Sequence, residues 1–485
     1  MKKILFILLA FLAVSCSKQK IANLNKDVKH PTNVPGQTLF SNAEKNLSDQ
    51  IASINVNMND FKLWAQYFTE TTYEDESNYN IFNRSVPDNA WSVYYRGVLM
   101  NLNRSDSLIS MEKPVTPSDI AAQKNQLTII DILAVYTWDR METMWGNIPY
   151  TQALNVNNVL PVYDDALTIH KALLLRISND IKALDVSNGS FGSADIIYNG
   201  DVTNWKAFAN GLKIKMAIQV ADVSSLATVI KTAFLEAKGG TFTSPAQDAI
   251  FTYLPGTPNT NPLYVDLTLS GRLDFVGANT FIDKLLSLND PRLPSFFDSN
   301  LKDSTGQTIY VGGQYGHTSA YASYSHINKA ISEDPTFGFP LMTYSEIQFY
   351  LAEAAARGIT TDDAASHYNK AITASFLYWG RTAAEAAAYI LKPNVAYNQA
   401  KWKSLIGTQA WISFYLRGYV AWTEWRRLDF PKLNLPSAPQ TEDQGFPYRY
   451  TYPSNEQTLN GANYTKAASA IGGDKLITKL YWDVH

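Results

Sequence analysis

The residue types that most often carry chemistry are sparse in this chain and poorly spaced for it. The six histidines, His30, His170, His317, His326, His367 and His485, show no ligand-like spacing, whereas a metal centre needs several ligands converging on one point. His317 and His326 lie in a loop-rich stretch and read as exposed polar residues. No metal and no cofactor is expected. Adjacent acids occur at Asp164-Asp165 and Asp362-Asp363, where a helix is about to begin and its N-terminal dipole favours negative charge. Glu74-Asp75-Glu76 lies in a polar loop and could offer oxygens to a cation, but a solvated acidic loop is the simpler reading. The HExxH, GxSxG, P-loop and GxGxxG patterns are all missing. A hydrolase built on two carboxylates far apart in sequence stays open, yet no catalytic constellation is visible. What the chain does have is 28 Tyr and 11 Trp, flat surfaces with a polar handle that suit a core and equally a recognition surface.

The single cysteine, Cys16, excludes a disulfide framework and a multi-cysteine zinc site. Its position is informative. Lys2 and Lys3 precede an unbroken apolar run from Ile4 to Val14, far short of the ~20 residues a spanning helix needs but right for a secretory signal. Small Ala13 and Ser15 then lead into Cys16, which resembles a bacterial lipoprotein signal in which the cysteine thiol takes a diacylglycerol. Ala13 stands where that pattern prefers Leu. The expectation is a signal peptide over 1–15, lipidation of Cys16, and attachment to a membrane through the lipid only.

The elements that must position any site are helical. The 485 residues are 46% hydrophobic and 18% charged, an ordinary globular balance. The net charge of −3 gives no basic surplus of the kind nucleic-acid binding needs. The stretch 16–40 is polar, carries Pro31, Pro35 and Gly36, and reads as a tether. Ser41 and Glu44 form a capping-box pattern, followed by Leu47, Ile51, Ile54, Met58 and Phe61 at helical spacing. Pro117 opens a segment to about Met144 that is apolar on most faces and belongs in a core. Ile169 to Leu184 and Trp205 to Met216 carry further stripes. Thr343/Glu346 and Thr382/Glu385 are two more capping boxes, with Gly358 as a stop for the first. Ala352, Ala364, Tyr368 and Ala371 match the spacing of a tetratricopeptide unit, two helices in a ~34-residue repeat. The stretch 239–340 is rich in Gly, Pro and Asn with short β-prone runs, and the tail after Pro431 is loop-like. The chain is therefore expected to be mainly α: a tetratricopeptide-like helical-pair scaffold over 41–238 and 341–430, an irregular, loop-rich subdomain with a few short strands over 239–340, and a C-terminal segment 431–485, all in one domain, 41–485.

Several phrases, in order, resemble elements of SusD/RagB-family lipoproteins. They are Trp145-Gly-Asn-Ile-Pro-Tyr150, Asp195-Ile-Ile-Tyr-Asn-Gly200 leading to Trp205 and Lys213, Asp290-Pro-Arg292, Met342 to Ala354, Trp422-Thr-Glu424-Trp-Arg426-Arg427 and Tyr452-Pro-Ser-Asn-Glu456. The wording is similar to the second SusD-like subfamily. The resemblance implies a nutrient-binding lipoprotein of the outer membrane, exposed at the cell surface, that binds rather than cleaves. It would deliver a glycan to a SusC-like TonB-dependent transporter as a lid over the barrel. An oligopeptide is the alternative cargo, and a lipid-anchored hydrolase the outsider. Trp145, Trp205, Glu353, Trp422, Glu424, Arg426 and Arg427 sit on helices or their ends and read as scaffold packing and internal ion pairs. Ligand contacts are expected in two aromatic loops instead. The first offers Tyr73, Tyr79, Phe82, Asn83 and Arg84; the second offers Tyr315, Tyr321 and Tyr324. Tyr79 and Tyr321 are the leading individual candidates.

Overall fold

The computed structural model describes residues 34–485, so Cys16, the signal segment and most of the tether lie outside the described residues. Helix α1 (Gly36–Ala52) starts inside the stretch read as tether. Ser41 and Glu44 consequently sit in its body and cap nothing. Ser41 Oγ donates to the carbonyl of Gln37 at 3.2 Å, and Glu44 accepts from the Ile196 amide at 2.9 Å. Pro35 precedes the helix with its φ already at −58°, a start that needs no side-chain cap. Phe40, Ala43, Leu47 and Ile51 then bury one stripe. After residues 53–85, which hold a helical turn at Phe61–Trp64 and one short strand, α2 (Val86–Ser92), a wider π turn (Val93–Leu99) and α3 (Met100–Ser110) run on without a break, the π turn and α3 packing on α1.

The remaining scaffold follows the same logic of paired helices. Helix α4 (Pro117–Trp145) packs on α5 (Ala166–Ala183), α6 (Val202–Gln219) on α7 (Ala227–Ala237), and, beyond α8 (Asn279–Leu288), α9 (Tyr344–Ala356) packs on α10 (Ala364–Tyr378). Helix α11 (Ala383–Ile390) leans on α10, and α12 (Trp402–Ser413) pairs with α13 (Gly418–Leu428). Helix starts follow the sequence signals. Thr116, Asp165, Asp201, Thr343, Asp363 and Thr382 each accept a backbone N–H as N-cap, and Thr382 with Glu385 forms a complete capping box. From Thr128 onward helix α4 is buried on every face except at Asp131, as its apolar faces require. No helix of the described residues is long and apolar enough to cross a membrane.

Three two-stranded antiparallel pairs organise the rest. Strand β1 (Phe68–Glu70) pairs with β3 (Phe275–Gly277), tying the N-terminal helices to the middle of the chain. Strand β2 (Ala249–Phe251) pairs with β6 (Phe339–Met342), so the irregular segment leaves and rejoins the scaffold at one place. Strands β4 (Leu301–Lys302) and β5 (Thr308–Ile309) form a small hairpin. The fold is mainly helical with these short pairs, as the sequence indicates.

The family-type motifs turn out to be structural. The Asp195 carboxylate accepts the amides of Ile197, Tyr198 and Gly200 at 2.9–3.0 Å and the Trp205 indole N–H at 2.6 Å. Gly200 is required there, because its φ is +80° and a Cβ would meet the Gly192 backbone at 2.4 Å. Arg427, fully buried, is held between Glu353 and Glu424, and Arg357 adds a bond to Glu353 at 2.7 Å. Arg426 lies 3.4 Å over the Trp422 ring and 4.5 Å from Trp482. These groups clamp the end of α13 against α9 and the C-terminal segment.

Candidate ligand-binding face

Three segments distant in sequence are laced into one surface. Thr71 donates its amide to the Asp274 carbonyl at 2.9 Å and its hydroxyl to the Leu273 carbonyl at 2.7 Å. Ser319 donates its amide to the Thr71 carbonyl at 3.1 Å, and Thr318 its hydroxyl to Glu74 at 3.0 Å. Asn78 reaches the Gly316 carbonyl at 2.9 Å. The β1–β3 pair underlies this lacing, so the two aromatic loops and the 270–274 turn share one rigid base.

On that base the candidate residues separate. Tyr73 is 60% exposed beside an equally open turn, where Leu273 is 55% exposed. It stands close enough to Arg272 to act on that side chain's charge. Arg272 and Asp274 form an ion pair across the turn, which holds the guanidinium firmly protonated. Tyr321, half-buried, lines a shallow depression of about 30 Å³ with Arg272, Leu273 and Asp274. Its ring stacks on His326, centroids 3.7 Å apart and planes 16° from parallel. His326 Nε2 also lies 2.9 Å from the Tyr321 carbonyl oxygen. His326, read from the sequence as an exposed polar residue, is thus a half-buried backing plate. Tyr324 is half-buried near by, its carbonyl accepting from Asn300 at 2.9 Å.

Two expected ligand contacts are core residues. Tyr79 is 0% exposed and packs against Trp64, Tyr315 and Phe446, with ring centroids 6.2–6.4 Å away. The reason is local. The turns from Glu74 to Asn80 place Tyr79 at φ +69° and swing its side chain inward as the plug of its own loop. Tyr315 is buried beside it at 2% exposure. Neither can reach a ligand on this face. Phe82, exposed, lines a different depression of about 210 Å³ shared with Tyr452 and Tyr464 of the C-terminal segment. Asn83 is exposed next to it. Arg84 is engaged with Glu76 at 2.6 Å.

The acidic triplet also divides. Glu74 and Asp75 are partly exposed, but Glu76 is fully buried beneath the loop, next to Glu70. It is not part of a solvated run. Burial, and then the neighbouring Glu76 charge, pushes the Glu70 carboxyl up to about 9. Glu70 also accepts the Ser77 amide at 2.9 Å. Glu70 holding the Ser77 amide and Arg84 pairing with Glu76 pin the loop's inner turn.

Sequence spacing misses the turn Arg272-Leu273-Asp274, because nothing local shows that β1 brings Tyr73 to it. It also misses one buried cluster. Asp139 and Glu142, one turn apart on α4, meet His170 from α5, and these are the groups among the described residues placed to hold a metal ion. Lys215 is already paired with Asp139, and His170 Nδ1 sits 2.9 Å from Glu142. A buried ammonium there opposes a second positive charge, so the cluster reads as helix-packing electrostatics.

Paired helices carrying short strand pairs and a loop-built face with exposed Tyr73 and half-buried Tyr321 define a mainly helical protein of paired-helix class. The SusD-like_2 family, described as starch-binding and associating with the outer membrane, matches residues 27–453. The chain belongs to this family. It is a SusD-like, non-catalytic nutrient-binding protein of the outer membrane. Solved structures share the fold. A chitin-binding protein is similar at 24% identity and TM-score 0.79, over 93% of this chain and 100% of that one. A SusD homologue from Bacteroides uniformis matches at 23% identity and TM-score 0.77, over 92% and 99%. A chitin-binding SusD homologue from Flavobacterium johnsoniae matches at 22% identity and TM-score 0.75, over 92% and 98%. Comparison with curated protein sequences gives no match.

Proposed function

We propose that this chain captures a glycan on the Tyr73–Tyr321 face and passes it to a SusC-like TonB-dependent transporter, held at the cell surface by lipid on Cys16. The observation that carries the reading is the Tyr321–His326 stack beside Arg272 and Asp274. A pyranose offers an apolar C–H face that a flat ring can cover, with hydroxyls around its edge for a guanidinium to donate to and a carboxylate to accept from. The backing by His326 fixes the Tyr321 ring before ligand arrives, which lowers the ordering cost of binding. Two similar structures are of chitin-binding proteins, so chitooligosaccharides are the first probes, with maltooligosaccharides and mixed oligopeptides beside them. Calorimetric titration is expected to give binding to an oligosaccharide. Binding of peptides alone would replace the cargo class.

A further inference from the structure

A separate cleft of about 360 Å³ opens between α1 and the 258–266 segment, within the ~300–1,000 Å³ typical of small-molecule sites. Val265 and Asp266 line it, whereas the next residue, Leu267, lines the Tyr321 depression. Met58, Val93 and Val265 form an apolar wall. The polar wall holds buried oxygens. Gln50 is 4% exposed and Thr260 3% exposed, yet Gln50 Oε1 and Thr260 Oγ1 have no hydrogen-bond partner. Asp49, by contrast, has the Tyr253 hydroxyl beside it as a donor and Lys45 on its other side. Buried oxygens left unpaired are costly and rare in native proteins. Two of them, Gln50 Oε1 and Thr260 Oγ1, belong to residues that line this cleft.

The missing capacity is for neutral donors rather than for a cation. Lys45 already holds Asp49 at 2.5 Å. Asp266 accepts from Ser53 Oγ at 3.1 Å and acts on the ammonium of Lys62, which donates to the Ile51 and Ser53 carbonyls at 3.0 and 2.8 Å. Burial raises both carboxyls above their usual range, and each has a lysine at hand. The oxygens still unmet are an amide carbonyl and a hydroxyl.

We propose that this cleft is a second ligand site, for a small polyhydroxylated molecule of about monosaccharide size. Its hydroxyls donate to Gln50 Oε1 and to the Asp49 and Asp266 carboxylates and exchange a bond with Thr260, while its C–H surface lies on Met58 and Val265. The proposal is independent of glycan capture at Tyr321, since no lining residue is shared.

The test uses the whole soluble chain with free glucose, galactose, mannose, N-acetylglucosamine and sorbitol as probes, and putrescine as the cationic contrast, followed by ligand-observed NMR and equilibrium dialysis. At least one sugar or polyol should bind. Thr260→Val and Asp266→Asn should each weaken it at least tenfold, and Tyr321→Ala should leave it unchanged. Thr260→Val should melt at or above the wild-type temperature, because it removes a hydroxyl that has no partner in the fold. Sorbitol alone binding would support the site and make its ligand a linear polyol. Absence of any sugar or polyol binding, preference for putrescine, indifference to both cleft substitutions, or a lowered melting temperature in Thr260→Val would each overturn it. Loss of binding in Tyr321→Ala would place the ligand on the aromatic face and overturn it as well.

Discussion

At the scale of single residues, two tyrosines of similar sequence context have opposite jobs. Tyr321 offers its ring to solvent against a stacked His326, so Tyr321→Ala should weaken oligosaccharide binding by ~2 kcal/mol or more, roughly thirtyfold, with little change in melting temperature. Titration calorimetry and a thermal melt on the same variant check both halves. Tyr79 fills a buried site among Trp64, Tyr315 and Phe446. Tyr79→Ala should cost about 3–5 kcal/mol of stability, as large aromatic truncations in cores do. Glu70 makes a pH prediction. Its carboxyl stays protonated in the folded protein up to about pH 9, whereas the unfolded value is 4.5. The unfolded chain therefore releases this proton first, and the contribution of Glu70 to stability falls as pH rises from about 4.5 to about 9. Glu70→Gln, which keeps an acceptor for Ser77 and gains a donor towards Glu76, should melt higher than wild type at pH 8 and match it near pH 4.5. Equal melting curves at both pH values would refute the raised Glu70 carboxyl.

At the scale of elements, turns are held in shape by individual atoms. The loop before α6 is folded around Asp195, which satisfies three amides and an indole. Gly200→Ala must either move the Gly192 backbone or abandon a φ of +80°. It should destabilise the protein by more than the ~1 kcal/mol usual for a misplaced alanine, visible as a lower urea midpoint. The face itself rests on β1 and β3, and the bonds from Thr71 to Leu273 and Asp274 are what bring Tyr73 to Arg272. Positioning by rigid short strands and tight turns, rather than by a long free loop, favours a pre-formed site.

At the scale of the whole molecule, a binding protein without a channel of its own promotes uptake only by delivery. A lipid on Cys16 would confine the body beside the membrane and raise its effective concentration near an integral partner. Cys16→Ala should release the chain into the soluble fraction and abolish labelling by radioactive fatty acid. Gentle detergent extraction of the native membrane, with pull-down on this chain, should recover a much larger β-barrel in near-equal amount. Recovery of this chain alone in several detergents, with uptake unaffected by its deletion, would defeat the lid arrangement.

What the sequence determined by itself is what local periodicity and capping can encode. Apolar residues three and four apart placed α1, α5 and α6; Asp165, Asp363 and Thr382 announced their helices because an N-cap acts on the next turn of the same segment. The motif around Asp195 was legible only as a resemblance to a family element; that its carboxylate gathers three amides and the Trp205 indole came from the structure. The tether boundary failed locally, since nothing in Gly36 to Phe40 shows that Gly36 packs against Ile109. Only the tertiary structure decided which aromatic residues face outward. Loop side chains have no period to read, and their directions are set by bonds such as Ser319 to Thr71 and Gly316 to Thr69, between residues far apart in the chain. The same long-range lacing buried Glu76, turned His326 into a support for Tyr321, and joined Arg272 and Asp274 to Tyr73, because a surface assembled from three segments exists only once those segments meet.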